Sequence, residues 1–289
     1  MFKKILIATD FSRHANYAFQ RAIQFARSQQ AELTCLHVIN LDWANNFNIF
    51  NNEDEQLEIQ KKTHKAERAF EKILKRITPP YPVKFLVNTG RTQDQIIEYI
   101  NSNNIDLVFM GAHGVYYLHD FILGTNSQSV VRKSNIPIQL VRKTAKKMYQ
   151  RILIATDFSD TSQKATEMAY KAYPDATFLL LHIADIWYGK KTRGIGRNQQ
   201  RHDVMNQVLQ EKLSQFLKKC DVKHDCFSTK FVGGYPADDI VRHALLWEAQ
   251  LVVLGAKGHT LLYDIFLGHV TGRLLHINPV DMLIVPECN

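Results

Sequence analysis

The sequence predicts an α/β protein built as two repeated domains, each a five-stranded parallel sheet covered on both faces by helices. Length is the first observation: 289 residues suit two domains of roughly 100–200 residues each. The second is an alternation of short, almost wholly apolar runs with longer helical patterns, which indicates parallel strands buried on both faces. The third is internal repetition. Ile5–Ser12 (Ile-Leu-Ile-Ala-Thr-Asp-Phe-Ser) recurs unchanged at Ile152–Ser159, Leu36–Asn40 returns as Leu181–Asp185, and Asp106–Gly114 returns as Gln250–Gly258, with offsets of 147, 145 and 144. A period this long means two complete domains rather than a solenoid, and places them at residues 1–145 and 149–289.

In the first half the apolar runs predict strands at Lys4–Thr9, Leu33–Val38, Val83–Val87, Leu107–Met110 and Ile138–Val141. Helices are predicted near Arg13–Ser28, Glu55–Ile77, Thr92–Asn103 and Thr125–Lys133. The second of these carries Leu57, Ala66, Ala69, Phe70, Ile73 and Ile77 as an apolar stripe, mostly at spacings of three and four, and Pro79-Pro80 closes it. Residues 41–54, rich in Asn and aromatics, and residues 186–200, rich in Gly and basic residues, are inserts after the second strand that differ between the repeats; both read as surface loops.

Composition excludes several classes. Hydrophobic residues at 45% and charged residues at 22% are ordinary for a globular protein, and no apolar run is long enough for a membrane helix. The N-terminus meets Asp10 too early for a signal peptide, so a cytoplasmic location is expected. Cys35, Cys220, Cys226 and Cys288 are scattered without a C-x-x-C pair and are expected as reduced thiols. Neither His224-Asp225-Cys226 nor the pair His113 and His119 has zinc-site spacing, so no metal site is expected. The net charge of +8 lies almost entirely in the first half: residues 1–147 carry 20 Lys and Arg against 13 Asp and Glu, residues 148–289 carry 16 against 15. Without a zinc finger, a helix-turn-helix or an aromatic RNA-binding strand, nucleic acid is disfavoured as a partner.

In open α/β sheets ligands bind beyond the carboxyl ends of the strands, where strand order reverses. Asp10 closes the first strand. After the fourth comes Gly111-Ala-His-Gly114, then nine residues, then Gly124-Thr125 opening a helix. Glycines admit close backbone approach, a helix start favours an anion, and a carboxylate suits ribose hydroxyls: together, a nucleotide site. Each piece also has a plain structural reading, since Thr125-x-x-Gln128 is a capping box and Asp10 can cap the next helix.

The ordered set G-x2-G-x9-G-[S/T] after a strand ending in Asp, with Leu36-His37-Val38, Gly90 and Ser134-Asn135-Ile136-Pro137, resembles the ATP-binding signature of the universal stress protein family, and the likeness spans both halves. The resemblance implies a Rossmann-like (adenine nucleotide alpha hydrolase-like) fold with strand order 3-2-1-4-5. It further implies ATP as ligand, with Mg²⁺ as an optional companion. Asp10 would contact the ribose and the Val38 backbone the adenine edge, with Gly111, His113, Gly114, Gly124, Thr125 and Asn126 around ribose and phosphates. In the second half Asp157, Ile183, Gly255, Gly258 and Gly268 are the counterparts, but His269 replaces the Ser or Thr, Gly272 stands where Gln128 does, and Lys257 adds a charge. The first half is therefore expected to bind nucleotide better.

These readings converge on an ATP-binding regulator or sensor of the stress response. A dedicated enzyme is not expected and no catalytic residue is assigned, although slow ATPase activity is compatible with the site. The competing reading is a binding module for a different small molecule, with a specialised second-half cavity. The resemblance also implies that the last strands of the two halves pair as an internal pseudo-dimer, with a homodimer as a further step.

Overall fold

The structure, a computed structural model, describes residues 2–40, 52–112, 124–144, 147–185, 198–256 and 267–287. The chain divides into two compact units, residues 1–148 and 149–289. The first contains β1 (Lys4–Thr9), α1 (Arg13–Gln29), β2 (Glu32–Ile39), α2 (Asn52–Leu74), β3 (Lys84–Thr89), α3 (Thr92–Asn103), β4 (Leu107–Gly111), α4 (Thr125–Lys133) and β5 (Ile138–Val141). The second contains β6 (Arg151–Ala155), α5 (Asp160–Ala172), β7 (Thr177–Asp185), α6 (Asn198–Lys219), β8 (Phe227–Gly234), α7 (Pro236–Leu246), β9 (Leu251–Gly255), α8 (His269–Ile277) and β10 (Asp281–Val285).

Within the first unit the strands lie in the order β3-β2-β1-β4-β5, every neighbouring pair parallel. Within the second the order is β8-β7-β6-β9-β10, again parallel throughout. The first-formed strand of each unit is thus central, and the chain leaves it in one direction for the next two strands and in the other for the last two. Ile5, Leu6 and Ile7 on β1 and Ile152, Leu153 and Ile154 on β6 are fully buried. Helix α1 turns a small-residue face inward (Ala15, Ala18, Ala22, Ala26), which lets its backbone approach β1 and β4 closely.

Several boundaries differ from the sequence reading. Helix α2 already begins at Asn52, so the last residues of the first insert are helical; residues 41–51 lie outside the described residues. Its regular part stops at Leu74, and Arg76 N–H and Ile77 N–H bond to the Ile73 and Leu74 carbonyls instead, 3.0 and 2.9 Å away, as a tighter final turn. Leu57, assigned to the apolar stripe, is half exposed; the burial rests on Ala66 and Phe70, with Phe70 stacked on Phe85 at 4.2 Å. In the second unit residues 186–197 lie outside the described residues and 198–200 begin α6.

Candidate functional site

At the carboxyl end of β1 the chain makes a tight bend. Phe11 takes a left-handed conformation (φ 61°), the Thr9 hydroxyl oxygen accepts from Phe11 N–H at 3.0 Å, and Asp10 Oδ1 accepts from Ser12 N–H at 2.9 Å. Ser12 then caps α1, its hydroxyl accepting from Ala15 N–H at 3.2 Å. The helix cap is therefore Ser12, and Asp10, exposed at the strand end, shapes the turn that precedes it. The second unit repeats the bend: Phe158 sits at φ 68°, Thr156 and Asp157 accept from Phe158 N–H and Ser159 N–H at 3.0 and 3.1 Å, and Ser159 caps α5. A left-handed phenylalanine costs about 1–2 kcal/mol relative to the right-handed region, and the same cost is carried at both strand ends.

Each bend rests on a histidine that the sequence reading quoted within a motif but left out of the site. His37 on β2 donates from Nδ1 to the Thr9 carbonyl at 2.8 Å, and His182 on β7 does the same to Thr156 at 2.7 Å; a carbonyl acceptor fixes the proton on Nδ1 and leaves Nε2 the acceptor nitrogen of the neutral ring. The rings lie against Phe11 and Phe158, with centroids 4.9 and 4.4 Å apart. Burial lowers the proton affinity of both imidazoles, opposed by the carbonyl bond and by the charge of Asp10 or Asp157. The signal that could have found them was the recurrence of Leu-His at matched positions.

Across β1 from β2 lies β4, with Ala8 paired to Met110, so Gly111 arrives beside Thr9 at the strand-order reversal. Gly111 is required for packing: a Cβ there would lie 2.7 Å from both Ala15 N and His14 C in the first turn of α1. Its carbonyl accepts from the buried Ser127 hydroxyl at 2.9 Å, and Gly124 N–H bonds to the Ala112 carbonyl at 2.9 Å. These two bonds hang the start of α4 on the end of β4. Thr271 donates to Gly255 and Gly268 to Ala256 in the second unit, at 3.0 and 2.8 Å. Ser127 and Thr271 had no place in the sequence reading, since their hydroxyls lie outside the glycine pattern.

Thr125-x-x-Gln128 does not form the capping box that its spacing predicts. Gly124 is the N-cap and makes no side-chain cap bond, so Thr125 is the first helical residue and Gln128 the fourth. Gly268 caps α8 in the same way, with His269 first. The His269 and Gly272 replacements therefore remove no cap. In both units the helix start is bare of a capping side chain, with Thr125, Asn126 and His269 exposed there, which suits an anion at the positive end of the helix.

Val38 lies one residue beyond the His37–Thr9 pairing, paired with Asn88 on β3, and Ile183 pairs with Val232. Gly90, at φ 131° where a side chain is strained, returns its N–H to the Ile39 carbonyl at 3.0 Å. Asp10, Val38, Gly111, Gly124, Thr125 and Asn126 thus gather at one end of the first unit's sheet, and Asp157, Ile183, Gly255 and Gly268 at the matching end of the second. His113, Gly114, His119, Lys257 and Gly258 lie outside the described residues. Among the described residues no group of three His, Cys, Asp or Glu could hold a metal ion, and Cys35, Cys220 and Cys226 are free thiols.

Comparison with known proteins agrees with this doubled geometry. The family model for the universal stress protein family matches residues 1–142 and again 148–286. A universal stress protein of Methanocaldococcus jannaschii is 30% identical over 156 residues, half of this chain and 96% of its own. The crystal structure of a universal stress protein from Archaeoglobus fulgidus matches 98% of this chain and 96% of its own, at a TM-score of 0.66 and 17% identity. A functionally unknown protein from Pseudomonas aeruginosa matches 99% and 93%, at 0.68 and 15%; both likenesses concern the fold alone. With both halves matched, the chain belongs to the universal stress protein family and carries two of its domains in tandem.

Proposed function

We propose that the first unit binds ATP at the reversal between β1 and β4, and that the protein works as a nucleotide-responsive regulator of the stress response. The observation that carries this reading is the start of α4, capped by a glycine without a side chain, anchored to β4 through Ser127 and placed at the same sheet end as the Asp10 turn. Main-chain N–H groups there suit phosphate oxygens, and the Asp10 carboxylate suits ribose hydroxyls. The backbone of Val38 is proposed to meet the adenine edge, and Gly111, His113, Gly114, Gly124, Thr125 and Asn126 to surround ribose and phosphates. Any Mg²⁺ rides on the phosphates, neutralising their charge. Slow hydrolysis is compatible with the site, but regulation through occupancy is the proposed role.

The second unit is proposed to bind nucleotide more weakly through Asp157, Ile183, Gly255, Gly258 and Gly268, because His269 puts a bulky ring where Thr125 offers a hydroxyl. The two units are proposed to pair through β5 and β10 as an internal pseudo-dimer, two chains to associate further, and the protein to reside in the cytoplasm. A thermal-shift panel tests the ligand: ATP with Mg²⁺ at 100 times its Kd should add about 2.7 kcal/mol to folding stability. A shift with another metabolite and none with ATP would instead favour a different small-molecule ligand.

A further inference from the structure

Helix α2 is acidic at its start (Glu53, Asp54, Glu55 and Glu58) and basic along its second half and the turn that follows. Between residues 61 and 76 the sequence carries seven Lys and Arg against two Glu, whereas the matching 16 residues at the end of α6, 204–219, carry three against one. The structure sorts α2 into two faces. Ala66 and Phe70 are buried against the sheet, with Phe70 stacked on Phe85, while Lys61, His64, Lys65 and Arg68 are exposed and together line a shallow open groove. Among the described residues Lys62 pairs with Glu58, but none of Lys61, Lys65 and Arg68 has an acidic partner. Lys72 continues the same face one turn on, and Lys75 and Arg76 follow in the tightened final turn. The basic row is a property of one repeat, not of the fold.

We infer that this face of α2 is a docking surface for the phosphate backbone of single-stranded nucleic acid. A row of cations three and four residues apart places neighbours about 5–6 Å apart along a straight line, and from Lys61 to Arg76 it runs about 22 Å. An extended single strand can follow such a line, whereas one strand of a duplex spirals away from it. A bilayer is the poorer match, because interfacial helices insert an apolar face and the apolar face of α2 is spent on its own core. An acidic protein surface is poorer too, since protein interfaces carry an apolar centre and Leu57 is the sole large hydrophobic exposed on the described part of this helix. Phosphate contacts of this kind read no sequence, so the lack of a recognition motif, which disfavours sequence-specific nucleic-acid binding, does not bear on this surface.

The test is fluorescence anisotropy of the full chain with a labelled single-stranded 20-mer across a salt series. With four contacts the slope of log K against log salt is about −2.8, so affinity should fall roughly 50-fold between 50 and 200 mM salt. The variant Lys61→Gln/Lys65→Gln/Arg68→Gln retains good helix formers at exposed positions and should reduce the slope by about 2, with an unchanged thermal melt. The control Lys212→Gln/Lys218→Gln/Lys219→Gln removes the same formal charge from α6 and should leave binding within about twofold, against a loss of tenfold or more for the α2 variant at 50 mM salt. Equal losses in both variants, absence of binding at 50 mM salt, or binding only to anionic vesicles or a poly-glutamate peptide would overturn the assignment.

Discussion

Phe11 and Phe158 show what the repeated octapeptide encodes. Each is a bulky residue in left-handed backbone, held by a threonine hydroxyl on one side and an aspartate turn on the other, with a histidine ring against it. The identity of the two copies was legible in the sequence, but not the left-handed phenylalanine, because positive φ is ordinarily read from Gly or Asn. Gly111 is the complementary case: the sequence pointed to it as a phosphate-loop residue, whereas its missing side chain makes room for α1. Gly111→Ala should therefore destabilise the fold by about 1–3 kcal/mol, as overpacking does, measured by urea denaturation. The two histidines add a pH dependence. Burial lowers their proton affinity in the folded state, so from about the ordinary value of 6.5 downward the unfolded chain binds more protons than the folded one. Stability should then fall as pH drops through that window. The double variant His37→Gln/His182→Gln should show a shallower decline in urea melts at pH 7.5, 6.5 and 5.5, and an unaltered slope would contradict this reading.

At the scale of elements, periodicity located the strands and helices well where tertiary contacts agree with local pattern, and less well at their ends. Helix α2 starts earlier and tightens sooner than its apolar stripe suggested, since packing of Phe70 on Phe85, not the stripe as a whole, fixes the helix on the sheet. The start of α4 departs from its sequence pattern for a related reason. Thr125-x-x-Gln128 has the letters of a capping box, but Gln128 N–H bonds to the Gly124 carbonyl at 3.0 Å, which makes the glycine the cap, and only the long-range Ser127–Gly111 contact reveals the anchor. Asp106 and Gln250 opened the third repeated motif for a reason its letters do not disclose. Asp106 Oδ2 accepts from Lys3 and Lys4 N–H at 2.6 and 2.9 Å, and Gln250 Oε1 from Gln150 and Arg151 N–H at 2.6 and 3.3 Å, so each secures the beginning of its unit's central strand. The terminal strands β5 and β10 supply the element-scale prediction. If they pair, as proposed, the amides of Ile138–Val141 and Asp281–Val285 should exchange with deuterium only as slowly as the central strands β1 and β6. Exchange as fast as a fraying edge would contradict the internal pseudo-dimer.

Across the whole molecule, duplication supplies an internal control. The same fold, the same strained turn and the same glycine-capped helix occur twice, so differences between the units isolate what each has been adapted to do. The first keeps Thr125 at the helix start and carries a basic row on the second half of α2; the second places His269 there and is nearly neutral overall. Titration calorimetry of the full chain with ATP and Mg²⁺ decides whether the first unit holds the nucleotide, as proposed. One tight site per chain is expected, lost in Gly124→Val and retained in Gly268→Val, with both variants folded before ligand is added. Undiminished ATP affinity in Gly124→Val, or loss of the tight site in Gly268→Val alone, would contradict that proposal.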